Sequence, residues 1–332
     1  MNAGQEMMQA VVQHRYGADP EKVLQVEQVP KPVMKDDEVL VRVRAAGVDA
    51  GTLVMMTGVP YLTRFVGFGL LRPKVPVPGW AVAGTVEAVG NAVTGLVPGD
   101  EVFGTCRGSF AQYAVTRPSR LAPKPASMTF EQAAALPNSA TTALRAVRDW
   151  GKVRPGQHVL VVGASGGVGS YAVQIAKALG AEVTGACSTA KADLVRAIGA
   201  DHVLDYTRAD ITAGPQRYDV IIDIAGDRPL ARMRRILTPT GTLVLTGGKG
   251  SAWLGPLTRN LRAQLLSPIA RQTITAPIAF ERQADLNDIR ELADSTALSS
   301  AIDRVYPLEE AAAAIRQLID GRVRGKVVVS VS

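Results

Sequence analysis

The stretch Gln157–Gly180, QHVLVVGASGGVGSYAVQIAKALG, decides the fold. His158–Val162 is a short β-branched run of the kind that forms a buried parallel strand. Gly163–Gly169 then breaks both strand and helix periodicity with four glycines in seven residues. After it, Val168, Tyr171, Ala172, Ile175, Ala176 and Leu179 recur at helical spacing, and Gly180 is placed to end the helix. Strand, glycine turn and helix together make an anion cradle: backbone N–H groups at the helix start point at a phosphate and the helix dipole favours its charge. The dinucleotide fingerprint G-x-G-x-x-G falls on Ala164, Gly166 and Gly169, with alanine in place of the first glycine. Gly166 is expected to let the backbone approach a pyrophosphate, and Gly169 to let the helix pack closely on the strand. Ser165, Gly167 and Val168 complete the turn.

Outward from this stretch, 332 residues are enough for about two domains with full cores. The chain is 47% hydrophobic and 20% charged, and its 32 glycines suit many strand turns. A net charge of +7 raises the question of nucleic acid. Lys and Arg are interleaved with acids, however, and no aromatic-basic ladder appears, so no nucleic-acid site is expected. Cys106 and Cys187 lie far apart in different expected domains, which supports neither a disulfide nor a cysteine metal site. No apolar run reaches the roughly 18–20 residues of a membrane span. The first ten residues lack the basic start and apolar core of a signal peptide, so a cytoplasmic location is expected.

Residues 9–125 read as β-rich, with strand-like runs at Ala10–His14, Leu24–Val29, Glu38–Ala46, Val82–Val89, Glu101–Phe103 and Phe110–Ala114. Val39, Val41 and Val43 alternate with Leu40, Arg42 and Arg44, and Pro98-Gly99-Asp100 is a turn. Tyr61–Pro78 (YLTRFVGFGLLRPKVPVP) is apolar, aromatic and full of breakers. It reads either as a flap over a hydrophobic pocket or as a packed loop beside the barrel.

From Thr129 the pattern turns to βα alternation. Helices are expected at Glu131–Leu136, opened by Thr129 with Gln132 three residues on, and at Thr141–Asp149. Strands at Ala181–Ala186, His202–Leu204, Val220–Ile224 and Gly241–Thr246 alternate with helices at Lys191–Ile198 and Pro229–Leu237. This is a doubly wound parallel sheet. Gly250–Ser267 carries Trp253, Leu254, Leu257, Leu261 and Leu265 in rough helical register, a second candidate pocket wall. Gln272–Phe280 reads as an edge strand that could pair with its own copy in a homodimer. The helix Asp285–Ala293, the strand Ile302–Tyr306, the helix Leu308–Ile319 and the strand Lys326–Val331 end the chain.

In these motifs the chain resembles the medium-chain dehydrogenase/reductase superfamily, specifically its zinc-independent quinone oxidoreductase branch, whose members include the zeta-crystallins. The resemblance rests on Gly47–Gly58, Val77–Gly90, Pro98–Gly104, Thr141–Leu144, Val153–Gly169, Leu194–Tyr206 and Gly325–Val329. It implies a GroES-like β-rich domain, residues 1–125 and 297–332, into which a Rossmann NADP-binding domain, residues 126–296, is inserted. Zinc-dependent relatives place a cysteine where this chain has Asp49 and Gly-His-Glu where it has Gly79-Trp80-Ala81. A catalytic zinc needs about three N, S or O ligands. Asp49 with Trp80 and Ala81 does not supply them, so no metal is expected. His14, His158 and His202 lie in or beside expected strands and read as structural.

The strand after the glycine turn ends in Ala186-Cys187-Ser188-Thr189, without the acid that binds an NAD ribose, and Lys191 follows. A hydroxyl and an ammonium suit the 2′-phosphate of NADP, which a carboxylate would repel. The expected cofactor is therefore NADPH, with Ser188 and Lys191 at its phosphate. The resemblance adds Tyr206 on the same phosphate, Thr142 near the nicotinamide half, and Lys326 near the cofactor. Ala225-Gly226 and Gly247-Gly248 end strands on the side where open α/β sheets bind ligands.

Zinc-free relatives reduce activated double bonds, and the apolar segments point to a hydrophobic small-molecule acceptor. The expected reaction is hydride transfer from NADPH to a quinone or an α,β-unsaturated carbonyl. Tyr61 stands one residue from the position of a tyrosine proton donor in enoyl-thioester reductases, and Asp49 is a second candidate acid. Solvent is a third proton source. Two alternatives stay open. One is an enoyl-thioester reductase, with Arg259 and Arg262 at the mouth. The other is an NADPH-binding structural or regulatory protein with little turnover.

Overall fold

The structure, a computed structural model of the chain, describes residues 6–247, 271–277 and 282–332. In chain order the elements begin with β1 (Met7–Val12), α1 (Pro20–Val23), β2 (Gln25–Pro30), β3 (Val39–Val48), α2 (Ala50–Thr57), β4 (Ala81–Val89), β5 (Glu101–Thr105), β6 (Tyr113–Thr116), β7 (Leu121–Pro123), α3 (Phe130–Ala134) and α4 (Pro137–Leu144). They continue with β8 (His158–Val162), α5 (Gly167–Ala178), β9 (Glu182–Cys187), α6 (Ala192–Ala197), β10 (His202–Asp205), β11 (Tyr218–Asp223), α7 (Leu230–Arg235), β12 (Leu237–Leu245) and β13 (Thr273–Thr275). The last are α8 (Gln283–Asp294), β14 (Ile302–Pro307), α9 (Ala311–Ile319) and β15 (Lys326–Ser330). Packing divides the chain into two units, Met1–Asn138 with Glu281–Ser332, and Ser139–Phe280.

These limits differ from the expected ones at 125/126 and 296/297, and the reason is side-chain packing. α3 lies against β3 and β4, burying Ala133 and Ala134 completely, and α8 lies against β7. Ala126 N–H donates to Asp294 Oδ1 at 2.9 Å and Gln283 Nε2 donates to Leu121 O at 3.0 Å. Both flanking helices thus belong to the β-rich unit, which the change to helical periodicity at Thr129 does not reveal.

The first unit is a GroES-like β-rich domain. Its main sheet has the order β14-β15-β3-β4-β5-β7, with β6 also pairing β3 and β1-β2 as a separate antiparallel pair. Val39, Val41 and Val43 are buried while Arg42 and Arg44 stay exposed, as the alternation requires. Gly99 has φ 98°, which the Pro98–Asp100 turn needs. The strand expected at Phe110–Ala114 lies further on, at β6, because Phe110 and Ala111 bridge instead toward β1. α2 was not anticipated. Asp49 caps it, accepting from Thr52 N at 3.2 Å, and Gly58 ends it at φ 61°. Its sequence AGTLVMMT is apolar nearly all round, so no amphipathic stripe marks it as a helix.

The second unit is a Rossmann-type domain. Among the described residues all its strands are parallel, in the order β10-β9-β8-β11-β12-β13. β8, β9 and β10 build outward one way and β11, β12 and β13 the other, so the winding reverses between β8 and β11. The helix expected at Thr141–Asp149 starts earlier, as α4, and widens into a π-turn at Arg145–Trp150. Of the strand expected at Gln272–Phe280, Thr273–Thr275 pairs with β12, while residues 278–280 fall outside the described residues. The expected helical wall Gly250–Ser267, with Arg259 and Arg262, lies outside them too.

Candidate functional site

In the Rossmann unit, the carboxyl ends of β8, β9, β10, β11 and β12 lie along one edge because the strands are parallel. The turn after β8 is closed by Gly166 N–H donating to Gly163 O at 3.1 Å, and Gly163 takes φ 88°. A side chain on Gly169 would begin 2.1 Å from Gly163 O and 2.8 Å from Ala164 Cα. Glycine there is what allows α5 to sit on the strand end. Gly166 differs. A Cβ on it would meet only Gly163 O, at 3.4 Å, so the protein itself leaves room for one. The glycine at 166 keeps the backbone open on its outer side, as close approach of a phosphate demands.

Gly166 is the N-cap of α5, and no side chain caps this helix start. The N–H groups at Gly167, Val168 and Gly169 begin a helix of 12 residues with no cap oxygen and no acid in its first turn, which is a ready anion site. Ala164 is fully buried and Ser165 nearly so. Beside this corner, Ala225 N stands 3.5 Å from where a Gly163 side chain would begin, so the loops after β8 and β11 adjoin where the winding reverses. Gly226 has φ 60°, and its N–H donates to the buried Asp223 carboxylate at 2.9 Å. Gly247 follows β12. Sequence reasoning missed its neighbour Thr246, whose buried Oγ1 has no hydrogen-bond partner among the described residues. An orphaned hydroxyl at this edge fits a bound ligand. Gly248 lies outside the described residues. Thr142 sits partly buried on α4.

The end of β9 carries Cys187, Ser188 and Thr189, then Lys191. Burial is the main cause that pushes the Cys187 thiol up; Asp205 adds to it, and Arg196 and Lys191 oppose it. Asp205, at the end of β10, is a second residue the sequence reading passed over. Its carboxylate accepts from the hydroxyls of Thr189 and of Thr207, the latter at 2.6 Å, and these bonds hold it below the usual carboxylate range. The next residue, Tyr206, is 46% exposed, with the Arg228 guanidinium 5.8 Å from its ring centre. The loop after β9 thus carries Ser188, Thr189 and Lys191, with the Asp205 carboxylate turned onto Thr189 and Thr207.

In the β-rich unit, Asp49, Asn138 and Lys326 form a buried polar cluster. Asp49 accepts from Thr52 N–H and from the Asn138 amide. Lys326, 3% exposed, donates to Val48 O at 3.1 Å. Burial drives its pKa down, and the charge of Asp49 opposes that. Tyr61 is not part of this cluster. Asp49 stands before α2 and Tyr61 after it, and eight residues of helix are about 12 Å long. Tyr61 instead lines a groove of about 580 Å³ with Tyr16, Leu53, Val54, Thr57 and Arg64. Arg64 lies 4.3 Å from the Tyr16 ring centre and 4.8 Å from that of Tyr61.

The opposite face of α2 gives Met55 to a small pocket of about 60 Å³, completed by Gly67, Phe68, Pro73, Val75, Trp80 and Arg107. Residues of Tyr61–Pro78 therefore roof an apolar pocket, and Trp80 forms part of its wall. Among the described residues, no group of three His, Cys, Asp or Glu side chains could hold a metal ion. The three histidines are engaged with carboxylates: His14 with Glu27 at 2.8 Å, and His158 and His202 with Glu182 at 3.5 and 2.9 Å. Also among the described residues, no helix is long and apolar enough to cross a membrane.

Comparison with known proteins agrees with this architecture. Residues 35–126 match the family described as alcohol dehydrogenase GroES-like domain, and residues 198–329 the family described as zinc-binding dehydrogenase. The chain is 30% identical to a quinone oxidoreductase of Sus scrofa over 340 residues, covering 99% of both chains. It is 34% identical to a 2-methylene-furan-3-one reductase of Solanum lycopersicum over 239 residues, which is 68% of this chain and 59% of that one. The solved structure of a quinone oxidoreductase from Coxiella burnetii superposes with a TM-score of 0.84 at 25% identity, covering 98% of this chain and all of the other. With a β-rich GroES-like unit, a Rossmann unit inserted in it and a quinone oxidoreductase relative along nearly its whole length, the chain belongs to the medium-chain dehydrogenase/reductase superfamily, in its quinone oxidoreductase-like branch, and is an oxidoreductase of that type.

Proposed function

We propose that the protein is a zinc-independent, NADPH-dependent reductase of activated double bonds, acting on a quinone or an α,β-unsaturated carbonyl. The observation that carries the reading is the end of β9, where the strand runs into Ser188, Thr189 and Lys191 with no acid at its end, and where Asp205 accepts hydrogen bonds from Thr189 and Thr207. A 2′-phosphate gains hydrogen bonds there that an unphosphorylated ribose does not. The uncapped start of α5 and the open side of Gly166 would hold the pyrophosphate, with Ala225, Gly226, Thr246 and Gly247 along the same edge. When bound, the reduced nicotinamide supplies the hydride.

The chain's own residues supply orientation and a dry, apolar wall. Met55, Phe68, Pro73, Val75 and Trp80 suit a hydrophobic acceptor, and Trp80 stands where metal-dependent relatives keep a histidine. Arg107, on the same pocket, offers guanidinium N–H groups to an oxygen that gains negative charge. Asp49 acts as acceptor for Thr52 and Asn138, a structural duty that makes it a positioning residue rather than an acid. Tyr61 serves as an aromatic wall of its groove, and solvent provides the proton.

The test is oxidation of NADPH followed at 340 nm with a benzoquinone, a naphthoquinone, an alkyl enone and an enoyl thioester, with NADH in parallel. Turnover of a quinone or enone with NADPH preferred is the expected result. Activity confined to the thioester would make it an enoyl-thioester reductase. NADPH binding without turnover of any acceptor would leave a binding protein.

A further inference from the structure

The segment that roofs the small pocket also carries the densest exposed apolar surface among the described residues. Leu62 is 38% exposed, Phe65 66%, Leu70 54% and Leu71 87%. The other exposed large apolar residues, such as Met7, Val33, Val97 and Ile319, are scattered singly along the chain. Single ones need no explanation, whereas a cluster marks an interaction site.

The tip is presented, not left to wander. Lys74 N–H donates to Phe68 O at 2.7 Å and closes the base of the loop. The Tyr16 hydroxyl, 2.8 Å from the carbonyl oxygens of both Phe68 and Gly69, holds that base against the body of the β-rich unit. Gly69 has φ 105°, and a side chain on it would begin 2.2 Å from Arg72 O, so the turn is as tight as the backbone allows. Leu70 and Leu71 stand at the outer end of this pinned loop.

Charge selects the partner. No Asp or Glu occurs between Asp49 and Glu87, while Arg72 and Lys74, both exposed, flank the leucines. A protein partner of ordinary size needs a complementary surface of about 800 Å² a side. A two-leucine tip flanked by cations has a different shape: apolar side chains that enter an acyl layer, and cations at headgroup depth that meet phosphates. We propose that the loop 68–74 docks the protein on an anionic lipid bilayer, with Leu70 and Leu71 inserted and Arg72 and Lys74 on the lipid phosphates. This is peripheral docking and needs no membrane-spanning helix. The four residues assigned to the lipid, Leu70, Leu71, Arg72 and Lys74, are not among those that line the small pocket.

The test is flotation of the full chain with vesicles of phosphatidylcholine alone, and of phosphatidylcholine with roughly one third phosphatidylglycerol. The wild type is expected to float with the anionic vesicles at low salt, and less so at about 0.5 M salt, where screening is short-ranged. Leu70→Ser with Leu71→Ser is expected to weaken binding about tenfold or more. Arg72→Ala with Lys74→Ala is expected to weaken it about fivefold per charge on anionic vesicles only. Val33→Ser, at a site 82% exposed elsewhere, is the control and should float as the wild type does. No flotation of the wild type, or equal flotation of the double-serine variant, overturns the proposal. So does light scattering that shows a wild-type dimer which the double-serine variant breaks, because the face would then lie between two copies.

Discussion

The carbonyl oxygen of Gly163 stands 2.1 Å from the point where a side chain on residue 169 would begin, but 3.4 Å from the corresponding point on residue 166. Two glycines of one motif are therefore glycine for different reasons, and their substitutions should separate. Gly169→Ala drives a methyl into backbone atoms and is expected to cost about 1–3 kcal/mol of stability, read as a lower Tm. Gly166→Ala should leave Tm nearly unchanged and raise KM for NADPH by about tenfold, because what it obstructs is the phosphate.

Lys191 is expected to act on one cofactor only. Lys191→Ala should lower kcat/KM for NADPH by about tenfold and leave NADH within about twofold, since only the 2′-phosphate meets the ammonium. An equal fall with both cofactors would mean that Lys191 acts through the loop's structure.

Tyr61→Phe keeps the ring on Arg64 and removes the hydroxyl. With a good quinone or enone acceptor, kcat should stay within about twofold, whereas loss of a general acid would cost about a hundredfold or more. A loss of that size would assign the proton to Tyr61.

Asn138 holds the Asp49 carboxylate from one side while the α2 amide holds it from the other. Asn138→Ala removes a donor from a buried anion and is expected to cost about 1–3 kcal/mol, read by thermal or denaturant unfolding.

Much of this was legible in the sequence, and what was missed has common causes. His158–Gly180 announced strand, turn and helix because its periodicity changes at glycines whose conformations only that connection needs. The alternation of Val39, Val41 and Val43 with Arg42 and Arg44 likewise showed a half-buried strand. α2 stayed hidden because Leu53, Val54, Met55 and Met56 are apolar on both sides of the helix, one side facing the groove and the other the pocket and core. The domain limits shifted because the packing of α3 on β3 and β4 is a long-range contact that local pattern does not encode. Asp205 was passed over since its partnership with Thr189 spans 16 residues and two strands. Thr246 left no signal at all, an ordinary threonine that only burial without a partner singles out.

Acid stability offers a check remote from the site. The Arg316 side chain holds the Glu21 carboxyl at about 2 through a direct hydrogen bond, which burial opposes. A carboxyl lowered in the folded state stabilises it above the unfolded value of 4.5, and that contribution is lost as pH falls toward about 2. The pair is largely solvent-exposed, so its worth is about 0.2–1 kcal/mol. Arg316→Ala should lower Tm slightly at neutral pH, and the gap from wild type should narrow below about pH 4.5.

β15 pairs with β3 near the middle of the main sheet of the β-rich unit, and Lys326 reaches Val48 across 278 residues of chain. During synthesis that sheet stays incomplete until Lys326–Ser330 emerge, with the Ala45–Val48 half of β3 lacking its partner. Every strand of the Rossmann sheet has by then been made, from His158 to Thr275. The Rossmann unit is thus free to fold while the β-rich unit waits, and pairing of β15 is the late event that completes the main sheet. A chain stopped before residue 326 should leave the ribosome with a folded Rossmann unit and an exposed β edge, which makes it a substrate for chaperones.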